Sequence, residues 1–327
     1  MGGFLLRRLV NYLILVLLAA CVGYFLAASS LNPRARFAER NPAPPPAVVD
    51  QALYELNLND KTPVVARFTT WAGGVVHGDL GRTVDGDPVV AELGRRMGVS
   101  MRLLLLGSVL GGVLGVLAGV VCAVRQHKLT DHSITLISFL LLSTPVFLLA
   151  VLLKLGGLSV NQAAGTTILY YTGEYTPGLS GPWWWLAANR VQHLVLPTLA
   201  VAAPSAAFYS RYQRSAMLDV LGSDFLRTAL AKGLRRRRAL LRHGLRTALV
   251  PMVTFFAYQF SLLLVSDTFV EKIFAWHGMG EWFIDSVATS DVNVVAAITL
   301  FAAVLVLMAG LLAELAYAVL DPRVRVR

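Results

Sequence analysis

Charge is what this 327-residue chain has least of: only 15% of its residues are Asp, Glu, Lys or Arg, while 56% are hydrophobic. That balance excludes an ordinary soluble domain, in which about a quarter of residues carry charge. Acidic residues are the scarcer sign, 19 against 29 basic ones, leaving a net charge of +10. In a soluble domain such an excess would point to nucleic acid, but arginines gathered on one side of a bilayer explain it without that partner. There are only two cysteines, Cys21 and Cys122, both inside apolar runs. Small buried side chains are the reading there; neither a disulfide nor a metal pair is indicated. No G-x-x-x-x-G-K-[ST] phosphate loop, H-E-x-x-H pair or G-x-S-x-G elbow occurs. The chain therefore has no nucleotide site of its own and no catalytic residues to assign.

What is present is length of apolar run. Asking for about twenty apolar residues per span gives six candidates, 9–28, 101–124, 133–155, 191–211, 247–269 and 293–319. The first follows a basic start, MGGFLLRRL, but no A-x-A-like cleavage site comes after it. It is expected to remain as an uncleaved helix. Arg125 and Lys128 in the connection 125–132, the arginines of the central loop, and Arg323, Arg325 and Arg327 put these segments in the cytoplasm by the positive-inside rule. Glu174, Glu271, Glu281, Asp285 and Asp291 lie in the opposite loops. The expectation is an all-α, polytopic membrane protein with six transmembrane helices and both termini cytoplasmic. Its parts would be an N-terminal helix 1–28, an extracytoplasmic segment 29–100, a transmembrane core 101–319 with a cytoplasmic loop at about 212–246, and a tail 320–327.

Local features fill in this outline. NPAPPP at 41–46 makes a stiff entry, after which Ala47 to Leu58 suits a short helix. Gly107, Gly111, Gly115 and Gly119 recur every four residues, a spacing that lets a second helix approach closely. Pro145, in Ser143-Thr144-Pro145, removes a helix hydrogen bond and predicts a kink. Trp183 to Trp185 suit a headgroup layer as anchors. Gln259 and Ser261 are polar at mid-span, so they either line a route or bond to a neighbouring helix.

The central loop, SDFLRTALAKGLRRRRALLRHGLRTALVP from Ser223 to Pro251, is helix-compatible and strongly basic. Phe225, Leu226, Ala229 and Leu230 fall into an apolar stripe at helical spacing, and Gly233 offers that helix a left-handed end. The charge run alone is explained by topology and contact with anionic lipid. The ordered string around Gly233 adds something more. RTALAKG followed by RRRRALLRHGLRTALVP resembles the cytoplasmic signature of binding-protein-dependent ABC importer permeases, specifically the B-type membrane subunit of dipeptide and oligopeptide importers. Arg227, Thr228 and Ala229 stand where the general signature has Glu-Ala-Ala, with Gly233 in its glycine position.

The resemblance extends from LLRRL at the start to LDPR at the end. HGDLGRTVDGDPVVAELGRRM resembles the stretch this family places before its second span, through Gly78, Asp79, Leu80, Gly81 and Arg82. VEKIFAWHGMGEW resembles the external Val-Glu-Thr-x-Phe-x-x-Pro-Gly-x-Gly element, with Glu271, Phe274, Gly278 and Gly280 matching, Lys272 replacing threonine and His277 replacing proline.

The resemblance implies the type I ABC importer permease architecture. Asp224, Phe225, Arg227, Thr228, Ala229, Lys232 and Gly233 would form a coupling helix that docks on an ATPase. Gly78, Asp79, Gly81, Arg82, Glu271, Trp276, Gly278 and Gly280 would lie at the external mouth toward a substrate-binding protein. Pro145, Gln259 and Ser261 are candidates for the pathway. The implied partners are a second homologous permease forming a heterodimer, two cytoplasmic ATPase subunits or one fused pair, an extracytoplasmic binding protein, membrane lipid and a peptide substrate, without nucleic acid. ATP and Mg would be used by the partner subunits, none being bound by this chain. Two alternatives stand beside peptide import: a same-family permease for nickel or another small solute, and an ATP-independent secondary transporter or channel. The latter predicts ionisable groups at mid-membrane, whereas Lys154 and Glu314 fall near span ends and Asp267 near the external surface.

Overall fold

The computed structural model describes residues 2–38, 42 and 44–320. Part of the NPAPPP entry and the basic tail with Arg323, Arg325 and Arg327 lie outside them. Among the described residues, regular structure is helical, apart from an isolated bridge between Arg82 and Pro88. Thirteen helices and one π-helical turn follow in order: α1 Gly2–Ser30, α2 Ala35–Ala38, α3 Pro46–Glu55, α4 Val64–Val76, α5 Val89–Val124, α6 Leu129–Ser143, α7 Val146–Ala164, α8 Trp183–Leu221, α9 Asp224–Ala231, α10 Arg236–Ala239, the turn Leu240–Gly244, α11 Leu245–Phe274, α12 Met279–Ala288 and α13 Val292–Leu320. Among the described residues, five stretches are long and apolar enough to cross a membrane: Arg7–Phe37, Val89–Val124, Val146–Ala164, Trp183–Leu221 and Val292–Leu312.

Three of the expected spans differ in an informative way. The segment 133–155 is not one kinked helix. α6 stops at Ser143, Thr144 is extended with ψ 122°, and Pro145 caps the start of α7 with ψ 139°. Proline disfavours the helical conformation of the residue before it, and the Thr144 hydroxyl bonds back to the Leu140 carbonyl at 2.8 Å. The helix therefore ends and restarts. α5 begins twelve residues before the apolar run because its first turns, with Glu92, Arg95 and Arg96 paired among themselves, are charged but helix-forming. α8 is 39 residues long and passes through Pro197 and Pro204.

The chain divides into two units, residues 1–100 with 277–308 and residues 101–276 with 309–327. In the first, α1, α3, α4 and the start of α13 surround a core of Tyr24, Leu53, Leu58, Trp71, Val292 and Ala296. Tyr24 and Trp71 rings lie 5.0 Å apart. Gly23 lets α1 meet α13 closely, since a Cβ there would stand 2.6 Å from Thr299 Cγ2. Arg34 bridges Asp50 and Asp60 at 2.6 Å each, tying the entry to α3 and the loop after it. The short helices α4 and α12 were not anticipated from the sequence.

The second unit is built around α8. The four glycines of α5 face it: a Cβ at Gly107 would meet Val201 at 2.5 Å, at Gly111 Ser205 at 2.7 Å, at Gly115 the Ala206 carbonyl at 2.6 Å, and at Gly119 the Ser210 carbonyl at 2.6 Å. The four-residue spacing is thus a packing ridge, as expected. On another side α6 is held to α8 by Arg214, whose Nε and Nη2 donate to the two carboxylate oxygens of Asp131 at 2.8 and 2.9 Å. Above this, Lys154 Nζ donates to the Ile273 carbonyl at 2.5 Å and Gly173 N to the Phe274 carbonyl at 2.8 Å, fixing the end of α11.

Candidate functional site

α9 has the form that the sequence around Gly233 requires. Ser223 precedes it in extended conformation, and Asp224 sits in the first turn, where a carboxylate complements the helix dipole. Its far end is a Schellman motif: Gly233 N donates to Leu230 O at 2.9 Å, Leu234 N to Ala229 O at 3.3 Å, and Gly233 adopts φ +84°. Nothing lies within 4 Å of a Cβ at Gly233, so its backbone angle, and not space, demands glycine.

The apolar stripe is divided between two directions. Leu226 is buried at 4%, while Phe225 and Leu230 are exposed at 45% and 39%. Arg227, Thr228 and Lys232 are also exposed. Beneath the loop, Ala123, Met217, Val220 and Ala248 form a core joined by Leu240 and Leu245, drawn from α5, α8, the π-helical turn and α11. At Gly244 a Cβ would meet Val220 Cγ1 at 3.2 Å. The π-helical turn of the loop is therefore packed onto the ends of α5, α8 and α11.

The residues expected at the external mouth fall in both units. Gly78 and Gly81 have φ of +83° and +87°, and the Asp79 carboxylate accepts from Gly81 N at 2.9 Å, closing the turn. Gly81 rests against Asn293, which donates to the carbonyls of Leu56 and Arg82 at 3.1 and 2.9 Å. Arg82 is exposed and donates to Gly86 O at 3.2 Å. Leu80 packs on the cluster of Met279, Trp282 and Val294, bringing the Gly78–Arg82 turn and the start of α12 together. That start is further held by Ser100, which accepts from Met279 N at 2.7 Å, and by Arg96, which lies over the Trp282 ring at 5.3 Å and donates to Gly278 O at 3.4 Å. Gly280 is the second residue of α12.

Asp291 fastens the same region. Its oxygens accept from Val84 N at 2.8 Å and Val294 N at 3.2 Å, and its burial pushes the carboxyl pKa upward, partly offset by these bonds. Asn293 was not singled out from the sequence, and Asp291 was named only as an acid of an external loop. Their signal is an Asx pair at the start of a helix, which is too common to mark a joint.

Glu271 and Trp276 belong to the second unit and are each exposed at 1%. Trp276 N donates to Glu271 O at 2.8 Å across Ala275, whose φ is +49°. They shape the end of α11 from inside. His277 has φ +50°, an angle closed to proline, which is fixed near −65°. Histidine in place of the proline thus goes with a different backbone here. Its Nδ1 lies 2.8 Å from Glu281 Oε2.

Among the pathway candidates, Pro145 marks the α6–α7 break, and the side chains of Gln259 and Ser261 lie outside the described residues. Trp183, Trp184 and Trp185 stand out at the start of α8, exposed at 50% or more. The Asp131–Arg214 pair was missed; its only cue was an acid in an otherwise basic connection.

Residues 115–326 match the family described as binding-protein-dependent transport system inner membrane component, and the chain belongs to that family. It is 53% identical over 326 residues to the oligopeptide transport system permease protein OppB of Mycobacterium tuberculosis, covering all of both chains. It is 33% identical over 279 residues to the oligopeptide permease AppB of Bacillus subtilis, and 32% identical over 289 residues to the dipeptide permease DppB of Escherichia coli, covering 84% of this chain and of each relative. Among solved structures, a chain of the inward-facing MetNI methionine ABC transporter shares the fold with a TM-score of 0.53 at 16% identity, over 70% of this chain and 96% of that one. The protein is accordingly a multi-pass membrane component of an ABC importer.

Proposed function

We propose that this chain is one of two related permease subunits that form the translocation path of an ATP-driven, binding-protein-dependent importer of oligopeptides or dipeptides. The observation that carries the reading is identity at 53% along the entire chain to a permease named for oligopeptide transport. Six helices cross the membrane in this proposal, with α6 and α7 together making one crossing and α11 another, and both termini are cytoplasmic. Residues 29–100 lie outside the cell, and residues 212–246 inside.

α9 is the coupling helix. Its exposed Phe225 and Leu230, with Arg227, Thr228 and Lys232, suit a partly apolar groove on an ATPase subunit, while buried Leu226 anchors it to its own protein. The two ATPase subunits, or one fused pair, bind ATP and Mg and close on each other. Their closure moves α9 of each permease, and the packed ends of α5, α8 and α11 carry that movement into the membrane. The paired spans then open outward to accept peptide from the binding protein, and hydrolysis restores the inward-facing state. Gly78, Asp79, Gly81, Arg82 and Gly280 form the surface toward the binding protein in the first unit, with Gly278 buried at the start of α12, and Glu271 and Trp276 shape the end of α11 in the second.

Purification of the tagged chain from its own membrane in mild detergent, with mass spectrometry of what accompanies it, tests this assembly. A second permease and phosphate-loop ATPases are expected. Recovery of the chain alone or as a homo-oligomer, even after cross-linking, contradicts it.

A further inference from the structure

Beside α9 the loop carries five arginines on α10, the residue before it and the π-helical turn: Arg235, Arg236, Arg237, Arg238 and Arg242 are all exposed, and among the described residues none makes an ion pair. Two hollows meet there. One, of about 450 Å³, is lined by Val120 and Val124 of α5, Met217 of α8 and Leu241, with Arg236 and Arg237. The other, of about 530 Å³, is lined by Arg235, Arg237, Arg238, Leu241 and Arg242. Arg237 and Leu241 belong to both, and Leu241 is exposed at 55%. The first hollow is thus an apolar groove that runs from the ends of two membrane-length helices to a cluster of guanidinium groups.

We infer that this groove is a binding site for an anionic phospholipid, with an acyl chain along Val120, Val124 and Met217 and the phosphate among Arg236, Arg237 and their neighbours. Three features argue for lipid. Guanidinium groups pair with phosphate oxygens through two parallel hydrogen bonds. Basic pockets beside transmembrane helices are where anionic headgroups gain most from the local field. An acidic protein surface would neutralise the arginines but leave the apolar groove unfilled, whereas one phospholipid satisfies both halves. The π-helical turn contributes by widening the helix at Leu241 and Arg242, so that an apolar and a cationic side chain open side by side. A lipid held there would brace the base of the coupling loop, since Leu240 and Leu245 also belong to the core beneath it.

The test uses the complete complex in nanodiscs of phosphatidylcholine with added phosphatidylglycerol, and counts retained phosphatidylglycerol by native mass spectrometry. Replacing two arginines (Arg236→Gln with Arg237→Gln) is expected to weaken phosphatidylglycerol retention about thirty-fold, at about fivefold for each charge near the surface. The charge-preserving pair Arg236→Lys and Arg237→Lys keeps most of it. Leu241→Asp, which puts a carboxylate at the mouth of the groove without touching the arginines, lowers it as well. Equal retention of phosphatidylglycerol by the glutamine pair or by Leu241→Asp overturns the proposal. So does loss of the ATPase subunits from the glutamine pair with lipid unchanged, which would assign these arginines to a protein interface. Because assembly is read in the same spectra, failure of the lipid site is distinguishable from failure of the importer reading.

Discussion

Asp131 and Arg214, 83 positions apart, make a two-pronged ion pair that joins the start of α6 to α8. The carboxylate side chain is 3% exposed and the guanidinium 30%. Hydrogen bonding from Arg214 is the main cause that holds the Asp131 carboxyl well below the usual range for aspartate, against the opposing effect of its burial.

Asp131→Asn leaves a half-buried guanidinium without its partner. The expected loss of stability is about 2 kcal/mol, below the usual figure for a fully buried pair because Arg214 still reaches water. A depressed carboxylate pKa contributes stability that is present above the unfolded value, about 3.9, and is lost as pH falls through the lower folded value. Melting curves in detergent should therefore show a clear gap between the native protein and Asp131→Asn at neutral pH, narrowing only once the pH drops below 4 or so. A gap that stays unchanged as the pH falls further below that point would show that the pair contributes nothing through its charge.

The glycine ridge makes a contrast possible within one residue type. Gly115→Ala puts a methyl group where the Ala206 carbonyl stands 2.6 Å away, so α5 and α8 must separate. Gly156→Ala on α7 meets nothing within 4 Å. The first is expected to cost about 1–3 kcal/mol by overpacking, and the second to be neutral or to stabilise by up to about 1 kcal/mol. Thermal unfolding of the two variants side by side measures this, and similar melting temperatures would refute the close α5–α8 packing.

At Gly233 the angle sets the tolerance. Gly233→Asn accepts a left-handed backbone more readily than other residues, whereas Gly233→Val is strained by about 1–2 kcal/mol or more. The expected result is that the asparagine variant transports and the valine variant inserts but hydrolyses ATP without matching uptake. Equal coupling in both would remove the Schellman turn from the mechanism. Ala229→Glu, on the same helix, is expected to uncouple as the valine variant does.

His277→Pro tests the external turn. Proline cannot take φ +50°, so the link to α12 must rearrange, and the loss is expected in protease resistance around Met279 before it appears in overall insertion. An unchanged digestion pattern would contradict the left-handed turn.

These residues also show what the chain discloses before it is folded. The apolar runs are legible because a bilayer demands about twenty residues each, and the glycine ridge and the Gly233 cap because both obey local spacing rules. The break at Thr144-Pro145 was visible only as a kink, since a proline announces a lost hydrogen bond but not whether the helix resumes in line. α4 and α12 are too short for an apolar-run criterion. Nothing local links Asp131 to Arg214, or Leu80 to Met279 and Trp282, because those partners are chosen by packing between distant segments. His277 reads as a simple replacement of proline, yet its left-handed angle appears only in the folded backbone.

In the proposed importer, peptide movement through this chain is driven by ATP hydrolysed on its partners. The most direct measurement is uptake of a labelled oligopeptide into proteoliposomes holding the purified complex, with the binding protein outside and ATP and Mg inside. Accumulation that requires both the binding protein and hydrolysable ATP is expected. Accumulation without ATP, driven instead by an imposed proton or sodium gradient, would contradict it.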